Sequence, residues 1–419
     1  MEKKLNIGLF GFGCVGQGLY HVLNNSKGFT SNITKIAVKD KTKQRSLANE
    51  LFTFDKYEIL DNPEINLVVE LIDDATEAFE IVKYAIQKGK HVVTANKKMV
   101  ATHLQELVEL QNKYNVSLLY EASSCGSIPI IRTLEEYFDN EQLAKVSGIF
   151  NGTTNYILTK TIAEKQSYAT ALKQAQEQGF AETDPTNDVE GYDAKYKAII
   201  IALHGFGVFA KPEEVLNVGI TTLHENDINY ASEKEYKLKL VPTIKQVSEN
   251  EISLFVLPKL INQNNPLFFV DNEFNGVIVE GEFSGEQFLK GRGAGGNPTG
   301  AAVLSDISAL SYDYKYGFKK LHQRKKNTVN NNVIIKAYIR FNKLEDIEKL
   351  QPKQVFEHYS SQDYNYVVAL VNIKTLLEQK DYILQNNIFI ASVGEEISLE
   401  NSNIKKEKLE VAELKINVL

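Results

Sequence analysis

A chain of 419 residues is too long for one ordinary core and implies two or three domains. With 43% hydrophobic and 24% charged residues it reads as a folded, soluble protein; its net charge of -7 and the short basic run Arg324-Lys325-Lys326 exclude nucleic acid as a partner. Two distant cysteines, Cys14 and Cys125, match no metal spacing and point to a reducing, cytoplasmic setting, and no apolar run approaches the ~20 residues that cross a bilayer.

Leu5 to Phe10 reads as a short buried strand running into a glycine turn, and Gly16 to Asn24 has helix spacing with Leu19, Val22 and Leu23 on one side. Ile33 to Val38 is a second strand and Leu67 to Leu71 a third, followed by a helix from Thr76 to Gln87 that Gly89 ends. His91 to Thr94 is a fourth strand, and a helix from Leu104 to Tyr114 leads to a strand from Val116 to Tyr120. Strands alternating with helices at this interval predict a doubly wound parallel sheet, a Rossmann-like α/β domain over 1–130.

The rhythm changes after Pro129. Over 131–296 the pattern mixes strands, such as Ser253 to Leu257 and Val277 to Gly281, with longer helices, among them the apolar stretch Lys195 to Phe209. This predicts an α+β domain for substrate binding and dimerisation. The glycine cluster Gly291 to Gly300 introduces a helix over Ala301 to Leu310, and 297–323 is expected to complete the first domain. The polar run 324–332 is the linker candidate. Beyond it, 333–419 reads as a small α+β unit with strands at Val333 to Phe341, Tyr364 to Asn372 and Asn387 to Val393.

Gly11-Phe12-Gly13-Cys14-Val15-Gly16 fits the dinucleotide fingerprint G-x-G-x-x-G, here after a strand, opening a helix and inside a βαβ unit. The first glycine makes the tight turn, the second lets backbone approach a pyrophosphate, and the third lets helix and strand pack closely. At the end of the next strand, Asp40 suits the ribose hydroxyls of NAD, whereas Lys39, Lys41, Lys43 and Arg45 suit the 2′-phosphate of NADP. The choice stays open with a lean to NADP.

Asp193 and Lys197 lie four apart, so they share one helix face. Such a pair is usually a surface salt bridge, but the helix continues too apolar all round for a surface. A pair at the head of a buried helix is expected to face a cleft.

A set of motifs then resembles one family. Thr94-Ala95-Asn96-Lys97, Tyr120-Glu121-Ala122-Ser123 with Ile128-Pro129, and Asn151-Gly152-Thr153-Thr154-Asn155-Tyr156 resemble signatures of homoserine dehydrogenase. So do Gly179 to Pro185, Asp188 to Gly191, Asp193 to Lys197 and Gly291 to Thr299, in order and at similar spacing. The resemblance runs from about Gly8 to Ile307 and is to the monofunctional form, with no aspartate-kinase segment ahead of the nucleotide fold. It implies NAD(P)H-dependent, reversible reduction of L-aspartate 4-semialdehyde to L-homoserine, in threonine, methionine and isoleucine biosynthesis. Two other readings are a different NAD(P)-dependent oxidoreductase of the same plan, and a cofactor-binding regulator without turnover.

Carried over residue by residue, the resemblance makes Lys197 the group that polarises the carbonyl and manages the proton, through a water, with Asp193 in support. Lys97 is a second cation at the substrate oxygen and a rival proton donor. Glu182 and Asp188 are matched to the grip on the amino group of homoserine, beside Gly152 and Thr153. The cofactor set is Gly11, Gly13, Cys14, Val15, Gly16, Lys39, Asp40, Thr94, Asn96 and Gly293. Glu121 with the carbonyls of Ser124, Gly126 and Ile128 is matched to a sodium or potassium site. The chain departs from the family in two places: at Ser124, Cys125 and Ser127, where valine and glycines are usual, and at Leu71-Ile72-Asp73-Asp74, where a glycine pair is usual. Backbone ligation survives the first departure only if no glycine-only dihedral is required. In the second, two carboxylates can weaken binding of a phosphate-rich cofactor, or Asp74 merely caps the next helix. The family further implies a homodimer and, over 333–419, an ACT-like module that binds amino acids.

Overall fold

The computed structural model describes residues 5–29, 31–324 and 326–399, the side chains of 395–399 excepted. The four N-terminal residues, Lys325 of the basic run and the stretch 400–419 of the expected C-terminal unit lie outside the described residues. The chain divides into two compact units, the first made of 1–140, 199–209 and 291–323, the second of 141–198, 210–290 and 324–419.

The first unit is built on six parallel strands: β1 (Asn6–Phe10), β2 (Asn32–Ala37), β3 (Phe52–Thr53), β4 (Leu67–Glu70), β5 (His91–Thr94) and β6 (Leu118–Leu119). Their order, β3-β2-β1-β4-β5-β6, is that of a dinucleotide-binding doubly wound sheet. Leu67, Val68 and Val69 are consecutive and all fully buried, as a strand covered on both faces requires. The expected strand Val116 to Tyr120 shortens to two residues because the Tyr120 N–H turns away, donating to the Tyr316 hydroxyl instead.

The helix Gly296–Leu310 lies against the helix Cys14–Asn25. The contact is backbone on backbone: a Cβ on Gly18 would stand 2.0 Å from the Gly296 carbonyl oxygen, and one on Gly300 2.5 Å from the Leu19 nitrogen. Two helices come this close only where side chains are missing on both.

The second unit holds one eleven-stranded sheet. Its strands are β7 (Leu143–Ile149), β8 (Leu216–Asn217), β9 (Lys237–Ser248), β10 (Glu251–Ile261), β11 (Phe274–Gly281), β12 (Gly285–Arg292), β13 (Thr328–Val329), β14 (Val333–Phe341), β15 (Gln354–Ser360), β16 (Asn365–Asn372) and β17 (Phe389–Leu399). The main path runs β12-β11-β7-β9-β10-β17-β14-β16-β15, with β8 and β13 paired to β10. Residues 333–399 thus form a βαββαβ module in the spatial order 4-1-3-2, joined to the preceding strands where Lys259 and Leu260 meet Ser392 and Val393. The segment 324–332 is tied down in part. Thr328 and Val329 pair with Glu251 and Ile252, because the polar run still carries one β-branched pair at strand length.

Alternation along the strands gives each face of this sheet its own core. Phe255, Leu257, Ile335, Ala337 and Ile339 point to one, with Leu376 and Ile383 of the module's helices. Val256, Leu260 and Tyr338 point to the other, with Tyr156, Ile157 and Leu158 of the helix Gly152–Ala163.

Gly18→Ala is expected to lower the unfolding free energy by about 1–3 kcal/mol, since the clash is with backbone and the helices have to part. Urea melts measure it, and unchanged stability would show the contact to be loose.

Candidate functional site

In the first unit the glycine turn has the form the fingerprint predicts. Gly11 sits at φ +92, where a Cβ would meet the Leu71 carbonyl at 2.5 Å, and a Cβ on Gly16 would meet the Gly11 carbonyl at 2.5 Å. Around Gly13 no other part of the described residues lies within 4 Å of a Cβ position. The helix starting at Cys14 has no side-chain cap and no acidic residue in its first turn, and the exposed Cys14 and half-buried Val15 lead it off. Open space in front of an uncapped helix N-terminus is what a pyrophosphate needs.

At the carboxyl end of β2, Lys39 pairs with Glu77 at 2.5 Å. Asp40 folds onto its own loop: its Oδ1 accepts from the Thr42 hydroxyl and N–H, both at 2.7 Å, and from the Lys43 N–H at 3.2 Å. The Thr42 hydroxyl, then the backbone bonds, hold that carboxyl below the usual range. Arg45 donates to the Asp40 carbonyl and lies over the Phe52 ring, 5.2 Å from its centre.

The loops after β4 and β5 are laced together. Glu70, fully buried, accepts from the Ile72 N–H at 2.6 Å and the Thr94 hydroxyl at 2.5 Å. Asn96 donates to the Ile72 carbonyl and caps the helix Lys97–Thr102 through the Met99 N–H. Thr94 and Asn96 therefore spend their side chains on shaping the loop, and Lys97 is half-buried at the first position of the helix. The unusual carboxylate Asp74 caps the helix Ala75–Gln87, accepting from the Thr76 and Glu77 N–H groups.

Glu121 is buried and accepts from the backbone N–H of Ile131 at 2.9 Å and of Arg132 at 2.8 Å, while its own N–H donates to Asp306. Cys125 adopts φ +55, a left-handed conformation that costs an L-residue roughly 1–2 kcal/mol, and the chain takes it without glycine. The next residue has no such latitude: a Cβ on Gly126 would stand 2.3 Å from the Arg292 carbonyl and 2.5 Å from that of Gly293. The Ile128 carbonyl accepts from the Ile130 N–H at 2.8 Å. Ser124 Oγ and Asp306 Oδ1 are buried oxygens without a hydrogen-bond partner among the described residues.

In the second unit the sequence-predicted pair is the centre of a buried cluster. Lys197 donates to Asp193 Oδ2 at 2.6 Å and to the Phe150 carbonyl at 2.7 Å, with the two side chains 9% and 4% exposed. Asn151 donates its amide to Asp193 at 2.9 Å and to Asp188 at 2.7 Å, while its own carbonyl oxygen caps the helix Gly152–Ala163 through Thr154. Asn275, fully buried, donates to the same Phe150 carbonyl. Thr153 gives its hydroxyl to the Phe180 carbonyl, and Gly152 packs where a Cβ would meet the Glu273 carbonyl at 2.6 Å. Glu182 is exposed on its loop, away from the bonds that join Asp188, Asp193 and Lys197. Sequence reasoning left Asn151 and Asn275 without roles; the only signal for Asn151 was its place as cap of a helix inside a quoted motif.

Burial pushes the Glu70 carboxyl up to about 7, against the pull of its bonds to Thr94 and Ile72. A carboxyl that holds its proton more tightly when folded stabilises the fold below its unfolded value of 4.5, and that contribution is lost as pH rises to about 7. Glu70→Gln removes this dependence. Its unfolding free energy relative to the unsubstituted protein is expected to rise by on the order of 3 kcal/mol between about pH 5 and about pH 8. Denaturant melts at the two pH values check it, and a constant difference would mean the carboxyl is ionised in the fold.

Comparison with known proteins agrees with the motifs. The model of the homoserine dehydrogenase NAD-binding domain matches residues 11–121, and that of homoserine dehydrogenase itself matches 129–308. The homoserine dehydrogenase of Bacillus subtilis is 39% identical over 324 residues, 75% of this chain and 75% of its own length. Among solved structures, a homoserine dehydrogenase from Thiobacillus denitrificans superposes with a TM-score of 0.82 at 29% identity, over 94% of this chain and 100% of that one. A hyperthermophilic archaeal homoserine dehydrogenase mutant, solved in complex with NADPH, has a TM-score of 0.65 at 27% identity, over 75% of this chain and 100% of that one. The chain belongs to the homoserine dehydrogenase family, and is an NAD(P)-dependent oxidoreductase.

Proposed function

We propose that the cluster of Lys197, Asp193, Asn151 and Asp188 is the reaction centre at which L-aspartate 4-semialdehyde and L-homoserine interconvert. The observation that carries this is the single Asn151 amide bridging the carboxylates of Asp188 and Asp193, which sets an ammonium-binding acid beside the Lys197 pair. Lys197 polarises the substrate oxygen and passes it a proton through a water, held in place by Asp193 and the Phe150 carbonyl. Asp188 binds the substrate's amino group, a bond a carboxylate makes well because it is charge-assisted. Glu182, on its exposed loop, is a second acid for that amino group, with Gly152 and Thr153 shaping the floor. Lys97 is the alternative proton donor.

NAD(P) supplies the hydride when bound. Gly11, Gly13, Cys14, Val15 and Gly16 present it with open backbone, and Thr94, Asn96 and Gly293 belong to the same site. The lean is to NADP: Asp40 turns its carboxylate into its own loop, while Arg45 stands beside it as a cation and Lys39 would have to exchange its pairing with Glu77 for the phosphate. Glu121 and the carbonyls of Ser124, Gly126 and Ile128 would hold sodium or potassium, and the buried Ser124 hydroxyl, without a hydrogen-bond partner among the described residues, suits such an oxygen-rich site. We further propose a homodimer in the cytoplasm; a chain of this length with only two cysteines, far apart in sequence, suits a reducing compartment. The unit after residue 332 would act as an ACT-like regulatory module.

Lys197→Met is expected to lower kcat about a thousandfold while NADPH binding, followed by the fluorescence of its reduced nicotinamide, stays intact. Turnover within a few fold of the unsubstituted enzyme would remove Lys197 from the reaction centre. Nicotinamide absorbance with L-homoserine at alkaline pH, compared for NAD and NADP, reads the preference. Arg45→Ala is expected to raise the KM for NADP by about tenfold and to leave that for NAD; equal effects on both would reverse the lean.

A further inference from the structure

Two residues of the second unit share one acceptor. The Phe150 carbonyl takes Lys197 Nζ at 2.7 Å and Asn275 Nδ2 at 3.2 Å, and both side chains are buried. Asn275 is the second residue of β11, and the pairing of Gly276 with Ile149 brings it level with Phe150. The chain ahead of it is held closely. Asn155 donates to the Val270 and Phe274 carbonyls at 3.0 and 3.1 Å, and the Asn272 N–H donates to the Thr159 hydroxyl at 3.0 Å. Lys239, 1% exposed, fixes Asn155 in turn by donating to its Oδ1 at 2.9 Å. Asn275 is therefore placed by its whole surroundings and not by the bond to Phe150 alone.

Each group on the Phe150 carbonyl has hydrogen-bonding capacity left over. A carbonyl only accepts, so the Asn275 amide turns its N–H to Phe150 and its oxygen away. That Oδ1 is buried and has no hydrogen-bond partner among the described residues. An ammonium has three N–H donors, and Lys197 gives one to Phe150 and one to Asp193 Oδ2. Its third has no protein partner among the described residues. A buried acceptor left unmet is costly, and such an atom in a folded protein calls for an explanation. A donor and an acceptor carried by two groups on one carbonyl, both unmet, are what a water molecule bridges.

We propose that Asn275 is a positioning residue for the proton step, its Oδ1 holding the water through which Lys197 acts. This rests on Lys197 being the proton source. The water accepts from Lys197, donates one hydrogen to Asn275 and points the other at the substrate oxygen. As the aldehyde carbon gains hydride from the reduced nicotinamide, that oxygen takes the water's proton and the water takes one from Lys197. Water is restored, and Lys197 is left as the neutral amine. An amide oxygen suits this place, because it accepts a hydrogen bond and is too weak a base to keep the proton.

The test is steady-state reduction of L-aspartate 4-semialdehyde by the full chain in light and in heavy water. Asn275→Leu, close in size but with neither donor nor acceptor, is expected to lower kcat about thirtyfold and to leave the KM for the aldehyde within about twofold. Its solvent isotope effect on kcat is expected to exceed that of the unsubstituted enzyme by about twofold, since proton transfer becomes the slow step. If Asn275→Leu does not fold, Asn275→Val, equally without donor or acceptor and at home in a strand, is read in the same way. A kcat within about threefold of the unsubstituted enzyme, or a lower kcat with an unchanged solvent isotope effect, would overturn the proposal; the second result would leave Asn275 a purely structural part. Lys197→Met separates this from the reading beneath it. Turnover kept by Lys197→Met would displace the reaction centre itself, whereas turnover lost there and kept by Asn275→Leu would remove only the role of Asn275.

Discussion

An ammonium taken out of water has to be met by protein oxygens, and much of the second unit's local design follows from how Lys197 is met. The penalty for such a buried charge is several kcal/mol unless geometry and partners are good. Two oxygens answer it at short range, Asp193 Oδ2 and the Phe150 carbonyl. The second is available because β7 ends at Ile149 and the helix Gly152–Ala163 begins at once, which leaves Phe150 in neither ladder. Asp193 is in turn a buried anion, and it needs a donor besides the lysine. Asn151 is that donor, and the same side chain caps the helix that follows. Removing Asn151 therefore takes away a cap and a carboxylate bridge together, so its role is not separable into structure and chemistry. Asn275 has the opposite balance: its amide supports Phe150, while its own oxygen is buried and unpartnered among the described residues.

The first unit works by a different constraint, which is the absence of side chains. Gly11, Gly16, Gly18, Gly296 and Gly300 each stand where a Cβ would collide with backbone. The turn at Gly11 to Gly16 brings strand and helix together, and the glycines after it seat the helix Gly296–Leu310 on the same helix. The loops at the ends of β4 and β5 are then fixed by one buried acid, Glu70, which draws in Ile72 and Thr94. Asp73 and Asp74, where a glycine pair was expected, do not break this arrangement. Asp74 is consumed as a helix cap, and its carboxyl is held low by the very N–H groups it caps.

What was legible in the sequence was what depends on neighbours along the chain. The strand–glycine turn–helix passage, the cap at Asp74 and the shared face of Asp193 and Lys197 are local patterns with local causes. What was not legible depends on distant partners. Nothing near Asn151 announces that it meets residues thirty-seven and forty-two positions on. Likewise Gly18 and Gly300 look like ordinary helix glycines until the two helices are brought together. The pairing of β10 with β17 is a third case: either strand could have been an edge, and only two residues on each make the join. Local patterns place the side chains on faces, and long-range pairing decides which faces meet.

The loop after Glu121 shows how side chains are absorbed where glycines were expected. Left-handed backbone at Cys125 and Gly126 turns the chain after Glu121, and both positions look alike by dihedral angle alone, at φ +55 and +64. Their surroundings differ. At Gly126 the Arg292 and Gly293 carbonyls occupy the space a Cβ would take, so no substitution fits. At Cys125 the side chain is accommodated and buried, and its cost is the modest one of an L-residue in that region. A glycine is thus replaceable where only its dihedral is used and irreplaceable where its missing Cβ is used. The loop thus takes up Cys125 without glycine, and it holds the Ser124 hydroxyl as a buried oxygen.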